Sequence, residues 1–383
     1  MNKKMKLLII SDSESMWIKS YIEKVLLGEE MEVFLLVSNK ISRFSDFYQA
    51  NGIRMIETQY NVGLLSKIPK IRGLVNILVT MKKLIGKFDI IHVHGMNSGG
   101  LFWVKWLKRC NNKIIGSYWG SDIFRLTPKK VKEKEKFFKY FDEITLLTKQ
   151  MFDKFHQLYS NRYDDKLREV RFGISGYEVI QEVLKTQSRK ECKNFFSSEE
   201  SEITVAIGYN SNPLQQHLEV IKHLAKLPKK YLEKITLIFQ MTYGGATKAY
   251  KEELKSLLDK MDCRYVILDS FLSDHDIARL RLAVDIFIHG QTTDALSGSI
   301  QEYLFAGAVV LNPIWIQYDE LLKGKIDYIE YSSFEELPRI IEGILNQPIK
   351  PNVANANKLL ELSSWSNVKQ SWLELYKMND RQE

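Results

Sequence analysis

Apolar residues in this chain fall into short unbroken runs, separated by longer stretches in which they recur every three or four positions. Unbroken runs bounded by polar turns predict strands buried on both faces, and the three-to-four spacing predicts helices packed over them. In the first half the pattern predicts strands at 6–11, 32–38, 89–94, 113–118, 143–148 and 169–172. Helices are expected at 15–27, over 64–86 as one or two pieces, at 101–110 and at 130–140. The second half starts afresh, with strands at 202–207, 235–240, 265–268, 286–288 and 309–311. Helices are expected between them at 214–227, 247–261 and 274–282, and again over 355–378. Two tandem series of strand, helix and parallel strand predict an α/β protein of two doubly wound domains. The boundaries drawn from the pattern are 1–180 and 201–353, with a linker in 176–200 and terminal helices over 354–383.

A length of 383 residues allows each domain a core of its own. Three cysteines, Cys110, Cys192 and Cys263, lie far apart and show neither a disulfide framework nor metal spacing, which suits a reducing cytoplasm. No run of about 18 apolar residues and no leader pattern is present. Charge changes the picture more. The chain carries a formal charge of +8, and all of the positive excess sits in residues 1–180. Residues 58–88 hold Lys67, Lys70, Arg72, Lys82, Lys83 and Lys87 and no acid, interleaved with apolar positions. Such a stretch fits an anionic membrane surface, or equally a solvated basic face over a core-packed helix. No nucleic-acid recognition motif accompanies it, so nucleic acid is not an expected partner.

The most informative segment is 285–313, DIFIHGQTTDALSGSIQEYLFAGAVVLNP. An apolar strand enters a hydroxyl-rich loop, a short helix follows and ends at Gly307, and a second apolar strand begins at Val309. A loop opening a helix at the carboxyl end of a parallel strand presents free N–H groups and the helix dipole to an anion. Asp294 precedes that helix and Glu302 lies inside it, eight positions on. Ser299 to Glu302 also fits a capping box, in which Glu302 merely satisfies its own first turn. Asn210, Ser211 and Asn212 follow Gly208 and precede Pro213, Gln216 and His217, predicting a second capped helix start.

The acid pair followed by Ala306-Gly307-Ala308-Val309-Val310 resembles the Glu-x7-Glu segment of retaining, family 4-like glycosyltransferases of the GT-B fold, with Asp294 in the place of the first Glu. The resemblance implies two Rossmann-like domains facing across a cleft, the last helix crossing back to the first domain with Trp365 and Trp372. It implies that Glu302 holds the ribose of a nucleotide and that Asp294 lies near the donor sugar. Gly208-Tyr209-Asn210-Ser211, His217 and Phe239-Gln240-Met241-Thr242-Tyr243-Gly244 resemble a smaller GT-B group, the TDP-linked amino-deoxysugar (fucosamine-type) transferases. That group inverts, so the two resemblances differ on stereochemistry. Where most retaining relatives carry Arg and Lys, Gln216 and His217 stand here.

His92 and His94 share one face of the strand ending at Gly95, and the resemblance places a histidine there near the donor sugar. Trp119-Gly120-Ser121-Asp122 resembles the family's His-Gly-Ser-Asp turn. Asp122 there is either a proton acceptor or the anchor of an Asx turn. Glu14 follows the first strand, where no Gly-x-Gly-x-x-Gly occurs, which argues against a dinucleotide dehydrogenase.

The expected function is therefore that of a glycosyltransferase of the hexosyltransferase type, moving a sugar from a nucleoside-diphosphate sugar to a hydroxyl of a glycan or lipid-diphosphate acceptor. Retention, a role in bacterial surface polysaccharide assembly, and a place at the cytoplasmic face of the membrane are the finer expectations. The expected catalytic residues are His94, Asp294 and Asp122. The expected nucleotide-sugar contacts are Asn210, Ser211, Asn212, Gln216, His217 and Tyr243, with Phe271 and Leu272 beside the base. Thr292, Thr293, Ser297, Gly298, Ser299 and Glu302 complete them. No cofactor and no metal are expected. A sugar-nucleotide 2-epimerase and a non-catalytic GT-B-like partner subunit remain open as alternatives.

Overall fold

The computed structural model describes residues 4–37, 42–58, 69–96, 98–108, 113–196 and 203–377. The chain divides into two units, one of Met1–Gly173 with Trp365–Glu383 and one of Ile174–Ser364.

The first unit is built on a seven-stranded sheet. Its strands are β1 (Met5–Ile10), β2 (Met31–Val37), β3 (Arg54–Glu57), β4 (Ile90–His94), β5 (Lys113–Ser117), β6 (Glu143–Leu146) and β7 (Leu167–Glu169), in the order β3-β2-β1-β4-β5-β6-β7. All pairings are parallel. The second unit has β8 (Ile203–Ile207), β9 (Ile235–Gln240), β10 (Arg264–Leu268), β11 (Ile286–Ile288), β12 (Val309–Pro313) and β13 (Ile329–Tyr331), also parallel, in the order β10-β9-β8-β11-β12-β13. Strands β4, β5, β6, β9 and β11 are buried along their whole length, as uninterrupted apolar runs require. The order reverses direction between β1 and β4 and between β8 and β11. In sheets of this kind ligands bind outside the carboxyl ends of the strands at that reversal.

Several boundaries differ from those expected. Residues 176–200 are not a plain linker. Helices Gly176–Thr186 and Arg189–Phe195 belong to the second unit, where Tyr177, Ile180 and Cys192 enter its core. Ser197–Glu200 and Ser201–Glu202 lie outside the described residues. The terminal helices divide. Ala354–Ser363 packs in the second unit, and only Trp365–Leu375 returns to the first, burying Trp365 and Trp372 in its core. Edge strands β3 and β13 carry too few apolar residues to show in the pattern, and β7 lies two residues earlier than expected. Of the stretch 58–88, helix Pro69–Leu84 is present, and residues 59–68 lie outside the described residues.

Candidate functional site

The site grows from the loops that follow β8, β9 and β11. After β8 the chain turns at Gly208, whose φ of +65° suits glycine. Asn210 Oδ1 accepts the amide of Asn212 at 2.9 Å, and Asn212 Oδ1 accepts that of Leu214 at 3.0 Å. Ser211 donates to the carbonyl of Tyr243 at 2.7 Å, tying this loop to the one after β9. Gly244 makes that contact possible. Its φ is +118°, and a Cβ there would lie 2.5 Å from the amide nitrogen of Asn212. The Thr292 amide donates to the Leu214 carbonyl at 3.1 Å, joining the loop after β11 to the same cluster.

The expected single helix over 214–227 is broken. A 3₁₀ turn, Pro213–Gln215, is capped by Asn212, Gln216 adopts φ +55°, and the helix begins at His217. Two site assignments change as a result. Gln216 Nε2 donates to the Gly290 carbonyl at 2.7 Å, so its side chain clamps a loop. His217 is fully buried under Gly208, with Nδ1 3.0 Å from the Tyr250 hydroxyl, and burial lowers its pKa to about 4. The first amides of that helix, at His217 and Leu218, bond to Tyr250. Neither Gln216 nor His217 presents a group to a phosphate in this arrangement.

The helix after β11, Gly298–Phe305, is different. Ser297 stands at its N-cap with no side-chain cap bond, and its first turn holds no acid. Its leading N–H groups are therefore left for a ligand. Just before it Leu296 takes φ +63°, a conformation that costs an ordinary residue about 1 kcal/mol or more and recurs at binding loops. Glu302 does not fold back on this first turn, so no capping box forms. Its Oε2 accepts Nε of Arg281 at 3.0 Å, and its Oε1 lies against Gly176. Arg281 is 2% exposed, whereas the Glu302 side chain keeps 16%. Arg281 also donates to Ser299 Oγ at 3.2 Å and to Gln240 Oε1 at 3.4 Å, and lies 4.3 Å above the Tyr303 ring. This cation escaped the sequence reading. The available signal was a basic residue within Leu280-Arg281-Leu282-Ala283, where a surface arginine would not be flanked by core positions.

Tyr243 bonds through its hydroxyl to Asn210 and feels the charges of Arg281, Glu302 and Asp294, while its ring remains more than half exposed. Tyr209 bonds to Gln291 and Ser297 and stacks on His289 at 6.1 Å. Asp294 Oδ2 accepts the Tyr318 hydroxyl at 2.9 Å and lies 3.6 Å from Nε2 of His289. Asn312 donates its amide to two carbonyls, so its Oδ1 accepts from Nδ1–H of His289 at 2.9 Å. Nε2 of His289 then carries the lone pair. Burial lowers the pKa of this histidine, although Asp294 and Asn312 pull the other way. We take the ring as neutral because it has no solvent contact. Phe271 is 76% exposed, and Leu272 packs against the core of the second unit. Thr293 lies in the same loop, and Gly298 is buried at the helix start.

In the first unit the two expected residues meet other fates. His94 is buried, stacked 3.8 Å from His92 and enclosed by Tyr21, Phe172 and Trp372, with neither ring nitrogen bonded. Burial lowers its pKa to about 3, so it is neutral at any ordinary pH. Asp122 accepts the amides of Met96, Trp119 and Gly120 at 2.8, 2.8 and 3.0 Å. Both of its oxygens are thus engaged in latching the turns after β4 and β5, the arrangement of the Asx-turn alternative.

With two doubly wound units, each a parallel sheet reversing its order at the centre, the chain has the fold of GT-B glycosyltransferases. Residues 6–162 match the family described as glycosyl transferase 4-like. HepE from Anabaena, solved with UDP and glucose, is 14% identical, with a TM-score of 0.72 over 97% of this chain and 99% of that one. A glycosyltransferase from Rickettsia africae is 15% identical, with a TM-score of 0.72 over 98% of each chain. Sucrose-phosphate synthase from Thermosynechococcus elongatus is 13% identical, with a TM-score of 0.72 over 97% and 98%. No curated protein matches the chain in sequence.

Proposed function

We propose that the protein transfers a sugar from a nucleoside-diphosphate sugar to a hydroxyl acceptor. The observation that carries this reading is the uncapped start of helix Gly298–Phe305 beside Glu302, Tyr243 and Asn210 at the β8/β11 reversal. A diphosphate at that helix start would be stabilised by its amides and dipole as the sugar leaves, without a metal. Glu302, oriented by Arg281, keeps an accessible edge for ribose hydroxyls. Asp294, oriented by Tyr318, would support the donor sugar. HepE was solved with UDP and with UDP-glucose, so the uridine nucleotide is the first to test.

Retention is favoured because the residues that would serve inversion as a general base are otherwise engaged. Asp122 is latched by backbone amides, and Glu14 accepts the Arg43 amide at 3.1 Å. The acceptor is read as a glycan or lipid-linked diphosphate of surface polysaccharide assembly, met at the cytoplasmic face of the membrane. Lys82 and Lys83 stand exposed beside Leu78, itself 57% exposed, and among the described residues no helix is long and apolar enough to cross a bilayer. Lys67 and the side chains of Lys70 and Arg72 lie outside the described residues. Liposome co-sedimentation with anionic lipid tests this placement, and binding unchanged in a Lys82→Gln/Lys83→Gln variant would rule out these two as contributors.

The decisive experiment is a thermal-shift panel of nucleoside diphosphates, with Glu302→Gln as the comparison. One nucleotide should stabilise the wild type, by about 2.7 kcal/mol at a hundredfold excess over Kd. Most of that gain should vanish in the variant. A flat panel in the wild type overturns the reading.

A further inference from the structure

The first unit carries a pocket of about 520 Å³ that the proposed donor chemistry does not use. Its volume is in the range of small-molecule sites. It lies beside the helix Ser121–Phe124 that follows β5, between helices Ser98–Leu107 and Pro128–Phe138. Leu101, Phe102, Leu126 and Phe137 give it an apolar lining, and Phe102 is left substantially exposed. The remainder of the wall is mostly cationic. Arg125, Lys130, Lys134 and Lys136 face two acids, Glu133 and Asp122, and Asp122 is already held by three backbone amides.

Lys134 is the informative member. It is only 7% exposed, and the partner of its ammonium is a backbone carbonyl. It donates to the Asp122 carbonyl at 2.6 Å and lies 5.2 Å from the Tyr118 ring centre. A buried ammonium has three donors and a charge to neutralise. Burial lowers its pKa to about 8, Asp122 opposes that, and Lys130, one helical turn away, adds to it. Two neighbouring cations above an apolar floor match a dianion joined to a hydrocarbon chain. A free sugar would leave the cations unpaired, and inorganic phosphate would leave the floor uncovered.

We propose that this pocket binds the phosphorylated end of a lipid, phosphate against Lys130 and Lys134 and the first methylenes over Phe102 and Phe137. This rests on the glycosyl-transfer reading and deepens it, since it places the acceptor hydroxyl on a lipid-linked phosphate and gives that phosphate a seat in the first unit.

The probe is an n-alkyl phosphate series from butyl to decyl, each below its micellar concentration, followed by isothermal titration on the full chain. Affinity should rise with chain length, by up to about fourfold per methylene buried. Inorganic phosphate and decanol should each bind at least tenfold more weakly than decyl phosphate. Lys130→Gln and Lys134→Gln should each weaken decyl phosphate at least tenfold. Phe102→Ser should weaken decyl phosphate and flatten the dependence on chain length, while leaving the weak binding of inorganic phosphate unchanged. Should Lys134→Gln fail to fold, Lys130→Gln and Phe102→Ser carry the test. Decyl phosphate binding equal in wild type and variants, or no stronger than inorganic phosphate, overturns the proposal. A normal UDP shift alongside that result would leave the donor-site reading standing, whereas loss of the UDP shift with lipid binding retained would overturn the donor site instead.

Discussion

The two units place the same structural opportunity in opposite chemical states. Each has a parallel sheet whose order reverses at its centre, β1/β4 in one and β8/β11 in the other. In the first, the strand ends at the reversal are closed by rings. His94 stacks on His92, Tyr21 and Trp372 cover both, and Ser11 donates to the His94 carbonyl at 3.2 Å. Below them runs a neutral relay. Thr145 donates to Ser117, the Ser117 and Tyr376 hydroxyls bond Nε2 and Nδ1 of His92, and Tyr376 bonds Tyr21 in turn. In the second, the same position is polar, with a buried ion pair and an uncapped helix start. Topology therefore says where a ligand can bind, and the residues after the strands decide whether that place is filled from within.

The largest test of this contrast is Glu302→Leu. It leaves the Arg281 guanidinium buried without a carboxylate to neutralise it and should destabilise the chain by about 3–5 kcal/mol in urea unfolding. Adding Arg281→Met should restore most of the loss, because a buried ion pair replaced by apolar groups is often neutral. No recovery would mean that the charges themselves hold this region. In the first unit the counterpart is Trp372→Ala, which should cost about 3 kcal/mol through an unfilled core. Its UDP response should persist, since the residue lies outside the unit that carries the proposed nucleotide site.

Acid should act on both regions in the same direction. Burial lowers the pKa of His92 and His289, and brings His94 to about 3 and His217 to about 4. An unfolded histidine takes up a proton near pH 6.5, while these stay neutral in the fold. Their contribution is thus present above 6.5 and lost as pH falls toward the folded values, at up to about 1.4 kcal/mol per group per pH unit. Urea unfolding at pH 6.5 and 4.5 should show the loss. His94→Phe should make the slope shallower by about one proton.

What could be read from the chain beforehand follows the physics of each signal. Buried parallel strands are unbroken apolar runs, so β4, β5, β9 and β11 were visible, and with them the two sheets. Edge strands β3 and β13 bury little and left no such trace. The start of helix Gly298–Phe305 was legible because glycine and hydroxyl residues mark it. Arg281 was not, because its meaning lies in Glu302, Ser299 and Gln240, which are distant in sequence. Gln216 and His217 misled for a related reason. A polar residue after a turn looks the same whether it faces a ligand or clamps Gly290 and Tyr250, and the left-handed backbone at Gln216 decided it.

The smallest expected effect separates two roles for one carboxylate. Asp122→Asn keeps the size of the side chain but offers one accepting oxygen where two were used, and turns an NH₂ toward amide donors. Losing one or two of the three bonds to Met96, Trp119 and Gly120 should cost about 1–2 kcal/mol. If the residue is a latch, kcat for sugar transfer to a lipid-phosphate acceptor, measured well below the melting temperature, should fall by no more than about twofold. A general base replaced by an amide would instead lower kcat by about a hundredfold or more and remove the acid limb of the pH profile. The outcome bears on stereochemistry as well as on Asp122. With this carboxylate confined to holding the turns after β4 and β5, an inverting mechanism loses one of its two candidate bases, and Glu14, bound to the Arg43 amide, is the one left to exclude.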